Sequence, residues 1–326
     1  LAVVHPGAGN IGGGGFMVIR LADGTVTTID FRETAPLKAY RDMFLDDSLN
    51  VISGKSWSTS WATGVPGSVA GFGLAHEKYG STLWKNLVYP ASRLALKGYN
   101  LDLVNFSYLN SPYYNNYLSN DIETAKIFTK VNGDMFELGE RFIQQDLGLT
   151  LKRIARKGYR EFYVGKTADM IVDCMNRTEG LITKEDLKNY NAIERSPIEF
   201  NYRGYTVYSM PPASSGGVTI AGILNQLENV ELGKLDYHSA QHIHYVSEAE
   251  RRVYADRAEF MGDMDFVPVP LARLSSDEYA AERWGSVDSL NASLSSDVAH
   301  GDIPFYYGES EETTHFSVVD KWGNAV

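Results

Sequence analysis

The chain has 326 residues, 44% of them hydrophobic, which excludes disorder as a description of the whole. Its 30 basic and 41 acidic residues leave a net charge of −11, which argues against nucleic acid or an anionic membrane as the main partner. The single cysteine, Cys174, excludes an internal disulfide framework and a cysteine-rich zinc site.

No apolar run reaches the ~18 residues of a membrane span. The sequence opens on apolar Leu1-Ala2-Val3-Val4 and stops at Asn324-Ala325-Val326, which reads as mid-strand. Both ends are therefore expected to continue, with any signal peptide lying outside the sequence. The length allows one large domain or two small ones, and without a repeat or a low-complexity linker no domain boundary is drawn.

In chain order, the densest glycine stretch comes first, Pro6 to Gly15, and reads as a tight turn where backbones approach closely. It lacks the Lys-Ser/Thr ending of a phosphate loop and leads into a strand, so the dinucleotide fingerprint fails. Phe16 to Leu21 and Val26 to Phe31 form a hairpin around Ala22-Asp23-Gly24. Both strands are apolar on two faces near their ends, as in a sheet covered on each side. Helices are predicted over 67–79, ending at Gly80, and over Glu140 to Lys157, ending at Gly158. Another starts at Thr183, with Asp186 as capping-box partner. A second hairpin turns at Tyr202-Arg203-Gly204. Helices follow over Gly217 to Asn229 and over Ser239 to Met261, with Ser239 as N-cap. Thr313 to Val319 alternates like a strand and turns at Asp320-Lys321-Trp322-Gly323. Helices mixed with antiparallel hairpins point to a layered α+β fold.

Four places could carry chemistry. Ser214-Ser215-Gly216-Gly217 opens a helix but does not match Gly-x-Ser-x-Gly, so it reads as an N-cap and a close-packed helix start. His238 and His242 share a helix face as metal ligands would, yet the Glu of His-Glu-x-x-His is replaced by Ser239; with His244 they read as a solvated or capping face. Arg32, at a strand end, either grips a carboxylate through two parallel hydrogen bonds or pairs with Glu33, Asp30 or another acid. Thr313 is either an ordinary strand residue or a nucleophile. If the bond before it were cut, its α-amine, with an ordinary pKa of ~7.7–8.0, could take the proton of its own hydroxyl near neutral pH.

The segment Thr313-Thr314-His315-Phe316-Ser317-Val318-Val319-Asp320-Lys321-Trp322-Gly323-Asn324-Ala325-Val326 resembles the processing-site signature of the γ-glutamyltranspeptidases, which are N-terminal nucleophile hydrolases. Gly9-Asn10-Ile11-Gly12-Gly13-Gly14-Gly15-Phe16, Asp30-Phe31-Arg32-Glu33, Gly64-Val65-Pro66-Gly67, Pro211-Pro212-Ala213-Ser214-Ser215-Gly216-Gly217 and Tyr254-Ala255-Asp256-Arg257 resemble the family in the same order.

The resemblance implies a four-layer αββα sandwich and an inactive precursor cut by itself between Glu312 and Thr313. Residues 1–312 would be most of the large subunit and 313–326 the start of the small one, together one structural domain. Thr313 would attack γ-glutamyl amides such as glutathione, and water or an amino-acid or peptide amine would take the glutamyl group. Arg32 is similar to the family arginine that binds the substrate α-carboxylate. No cofactor or metal is implied, and a periplasmic or secreted location is expected. The family's oxyanion donors lie beyond Val326, so these 326 residues alone are expected to be inert. Two rival expectations stand beside this one: an acylase of β-lactam side chains with the same nucleophile, or an uncleaved homologue that only binds.

Overall fold

A computed structural model describes residues 1–130, 132–303 and 317–326. Its strands are β1 (Phe16–Arg20), β2 (Val26–Asp30), β3 (Tyr99–Asn100), β4 (Arg141–Phe142), β5 (Ile193–Arg195), β6 (Ile198–Tyr202) and β7 (Tyr205–Ser209). They lie among many helices, the α+β mixture expected. The residues cluster into two compact units, Leu1–Gly15 with Phe31–Ile193, and Phe16–Asp30 with Glu194–Val326.

The first unit is helical. Trp84–Lys97 packs along Gln145–Lys157 because Gly148 lets the two backbones close: a Cβ there would sit 2.6 Å from Leu96 Cγ. Ser92 Oγ donates across this contact to the Gly148 carbonyl at 2.8 Å. The main core gathers Val65, Val69, Ile154, Phe162, Tyr163, Leu187 and Tyr190. The predicted helix over Glu140 to Lys157 begins five residues late, at Gln145. Arg141 and Phe142 instead pair with Tyr99 and Asn100, because burying Phe142 with Leu101 and Leu109 requires an extended backbone at that point. The capping box at Thr183 forms as expected, with Asp186 accepting from the Thr183 N–H.

The second unit holds the sheet β1-β2-β5, with β1 and β2 antiparallel and Phe16 opposite Asp30. Thr28 and Ile29, neighbours on opposite faces of β2, are both 0% exposed, so the sheet is covered on each side at this point. The β6–β7 hairpin turns through Arg203 and Gly204, both with positive φ (50° and 83°), the geometry of a tight two-residue turn. Phe200, Val218, Ala221, Phe260 and Tyr279 form its core, joining the hairpin to the helices Gly216–Leu227, Ala240–Phe260 and Asp277–Trp284. No described helix is long and apolar enough to cross a membrane.

Candidate active site

In the first unit, the three motifs around Arg32 converge. Phe31 exchanges both backbone hydrogen bonds with Gly15, at 2.9 and 3.2 Å. Its ring is buried over the backbone of Gly71, where a Cβ would come within 2.2 Å of it. On the far side of Arg32, Thr34 and Val65 form an antiparallel bridge. Glu33 is wedged between Gly14 and Gly64, whose added Cβ atoms would lie 2.6 Å from its Oε2 and 2.7 Å from its Cβ. Small residues here are thus a steric requirement: two glycine loops sandwich the segment Phe31-Arg32-Glu33 and hold the exposed Arg32 at the end of a rigid stretch.

The glycine run is a close-approach element and not an anion cradle. The Gly13 carbonyl accepts from Gly67 N (2.8 Å) and Ser68 N (2.9 Å), which consumes N–H groups at the start of the Ser68–Tyr79 helix that an anion would need.

In the second unit, Asp30 accepts from Arg195 Nε at 2.8 Å, while the same guanidinium grips Asp265 through two bonds of 2.9 and 2.5 Å. The bonds that Arg195 donates to Asp265 outweigh the cost of burial and hold Arg195 firmly protonated, and Arg195 in turn lowers the Asp265 carboxyl. Asp30, one of the acids weighed as a partner for Arg32, accepts from Arg195.

Residues 317–326 close on themselves and then on β1. Val318 and Val326 exchange backbone bonds of 2.9 Å, and Asp320 Oδ1 accepts from Trp322 N (2.9 Å) and Asn324 N (3.0 Å). Arg20 at the end of β1 exchanges two 2.8 Å bonds with Ala325. The turn at Asp320 to Gly323 is as expected, and Gly323 supplies its positive φ of 86°. Thr313 and Glu312, the expected nucleophile and cleavage partner, lie outside the described residues.

The remaining candidates resolve into structure. Ser215 stands at the N-cap position of Gly216–Leu227 without a capping bond; its hydroxyl accepts from Arg257 Nε at 2.9 Å. Gly217 is indeed close-packed, since a Cβ would meet the Met210 carbonyl at 2.3 Å. His238 stacks on Tyr237, and His244 Nε2 lies 2.8 Å from the Asp288 carbonyl. Among the described residues no group of three metal-ligating side chains is found.

A family model described as Gamma-glutamyltranspeptidase matches residues 1–326. The chain belongs to the γ-glutamyltranspeptidase family. It is 48% identical to the glutathione hydrolase proenzyme of Escherichia coli (strain K12) over 328 residues, all of this chain and 56% of that protein. It is also 36% identical to the Acylase ACY 1 proenzyme of Pseudomonas sp. (strain V22), over all of this chain and 58% of that one. The crystal structure of Helicobacter pylori γ-glutamyltranspeptidase superimposes with a TM-score of 0.91 at 41% identity, over 95% of this chain and 88% of that one. The chain thus spans a little over half the length of its curated relatives, and its fold is that of the N-terminal nucleophile hydrolases.

Sequence reasoning proposed Arg32 from its motif and did not anticipate the contact made to its backbone. Tyr190 Oη donates to the Arg32 carbonyl at 2.8 Å. In the sequence Tyr190 is one tyrosine between two asparagines after a short helix, and nothing in its spacing marks it.

Proposed function

We propose that the complete protein is a γ-glutamyl hydrolase and transferase made as a precursor. The observation that carries this is the family match over the whole chain. In the precursor the Thr313 nitrogen is locked in an amide, so its hydroxyl can attack only the carbonyl of Glu312. That attack breaks the Glu312–Thr313 amide, which frees the Thr313 amine and leaves Glu312 as an ester on the hydroxyl; water then opens the ester, releasing the Glu312 carboxylate and restoring the hydroxyl. That amine then takes the hydroxyl proton as Thr313 attacks the γ-carbonyl of glutathione or a related amide. An acyl-enzyme forms, the amine product leaves, and water or an amino-acid or peptide amine accepts the glutamyl group.

Arg32 binds the donor α-carboxylate as a guanidinium fork. The sandwich of glycine loops supports this, because it fixes the backbone on both sides of an exposed arginine. Residues 1–312 form most of the large subunit and 313–326 open the small one, in one structural domain. The protein is exported to the periplasm or secreted.

Mass analysis of the complete protein tests this. A new terminus reading Thr-Thr-His-Phe-Ser is expected in the wild type and absent in Thr313→Ala, which should be inactive. Retained turnover in Thr313→Ala would sink the nucleophile assignment. The acylase relative favours a second reading, the hydrolysis of β-lactam side-chain amides. Turnover of a glutaryl amide with none of any γ-glutamyl amide would select it.

A further inference from the structure

We infer that Tyr190 is a positioning residue for Arg32, an inference that rests on reading Arg32 as the holder of the donor α-carboxylate. Tyr190 is 4% exposed and its hydroxyl donates to the carbonyl of Arg32 itself, at 2.8 Å. Its ring stacks on Tyr163, with centroids 5.6 Å apart and planes at 9°. Tyr163, 1% exposed, donates to the Pro66 carbonyl at 2.9 Å and accepts from Ala70 N at 3.0 Å.

The two phenols therefore reach from one stack to both lengths of backbone that flank the site, one to Arg32 and one to Pro66. The Thr34–Val65 bridge joins those two lengths. The result is a closed frame: Tyr190 to Arg32, along the chain to Thr34, across to Val65, on to Pro66, and back through Tyr163. Gly67 leaves room for it, since a Cβ there would lie 2.1 Å from the Tyr190 hydroxyl and 1.9 Å from the Phe31 carbonyl.

Where the Arg32 backbone is held limits where its guanidinium can reach. A bidentate grip on a carboxylate tolerates displacement of only about 0.5 Å. A phenylalanine would fill the space of Tyr190 and stack in the same way, so the hydroxyl adds orientation of Arg32 to what the ring supplies. Burial of the ring requires its hydroxyl to find an acceptor, and the acceptor it reaches is the carbonyl of the arginine itself.

The test uses the complete, processed protein and two donors, a γ-glutamyl anilide and the 4-aminobutyryl anilide that lacks the α-carboxylate. Arg32→Ala should raise KM for the first by about 10- to 100-fold, the loss of a charged hydrogen-bonded contact. Tyr190→Phe should raise it about three- to tenfold with kcat within about twofold, the size of one neutral hydrogen bond. Neither change should move kcat/KM for the second donor by more than about twofold.

Tyr163→Phe breaks the neighbouring bonds and spares the one to Arg32. It opens the frame at Pro66 only, so it should lower the melting temperature and raise KM for the first donor by less than Tyr190→Phe does. An Arg32→Ala effect with no Tyr190→Phe effect overturns the positioning role and leaves the carboxylate reading standing. An equal fall for both donors in Tyr190→Phe, or failure of that variant to fold where Tyr163→Phe does, shows a structural role and overturns it too. An unchanged KM in Arg32→Ala removes both readings together.

Discussion

At the scale of single residues, the glycines around Arg32 divide sharply by what surrounds them. Gly67 has φ −110°, a conformation open to any residue, so its constraint is steric and not torsional. A methyl there would lie 1.9 Å from the Phe31 carbonyl, whereas Gly12, in the N-terminal glycine run, has nothing within 4 Å of an added methyl. Gly67→Ala should therefore cost about 1–3 kcal/mol or more by overpacking. Gly12→Ala should stay within about 0.5 kcal/mol of wild type. Urea denaturation of the two variants checks this, and equal midpoints would refute the steric account. Sequence alone marks both as members of a glycine-rich motif. It cannot rank them, because the atoms that crowd Gly67 come from Phe31 and Tyr190, distant in the chain. Arg32 could be proposed from sequence for the opposite reason: its motif is carried by its immediate neighbours Asp30, Phe31 and Glu33.

Among the elements, the short helix Lys184–Asn189 shows how a local signal acquires a long-range role. The Thr183–Asp186 capping box can be read from residues three apart. The structure adds that the same carboxylate accepts from Leu37 N at 2.7 Å, tying the helix start to the loop beyond Arg32. Burial would raise the Asp186 carboxyl, but the bonds from Thr183 and Leu37 outweigh it and hold it below the ordinary value. Thr183→Ala should cost about 1 kcal/mol, as a lost cap does. Asp186→Ala should cost about 2–3 kcal/mol, because it also strands buried donors. Equal losses in a denaturant series would show that the Leu37 bond is idle. Elsewhere periodicity placed helices well and their ends less well. Glu140 to Gln144 look helical by pattern, yet Phe142 is drawn out by an aromatic cluster that includes Phe128 and Phe136. The Trp84–Lys97 helix carries Pro90 in its interior, a residue that argues locally against it, and is sustained by packing on Gln145–Lys157.

Across the whole molecule, acid stability is set by buried charge that composition cannot show. The net charge of −11 says nothing of Glu248, which is 0% exposed. It is bonded to Arg251, to Arg252 Nη1 (2.6 Å) and to Ser293 Oγ (2.7 Å). Burial raises its carboxyl, but the bonds from Ser293 and Arg252 outweigh this and bring it to about 2 from an ordinary 4.5. A depressed folded-state value means that its contribution is complete above pH 4.5 and is lost as pH falls towards 2. Unfolding free energy measured between these limits should drop, and Glu248→Gln should flatten that limb while lowering stability at neutral pH. An unchanged acid limb in Glu248→Gln would discount the network. The hairpin at residues 317–326 has a different kind of consequence. Its bonds to Arg20 and Ala22 are made by Ala325 and Asn324, all downstream of any scission ahead of Ser317. A nick at that point would sever the polypeptide without undoing this clasp, so the trailing fragment would remain fastened to β1 without a covalent link.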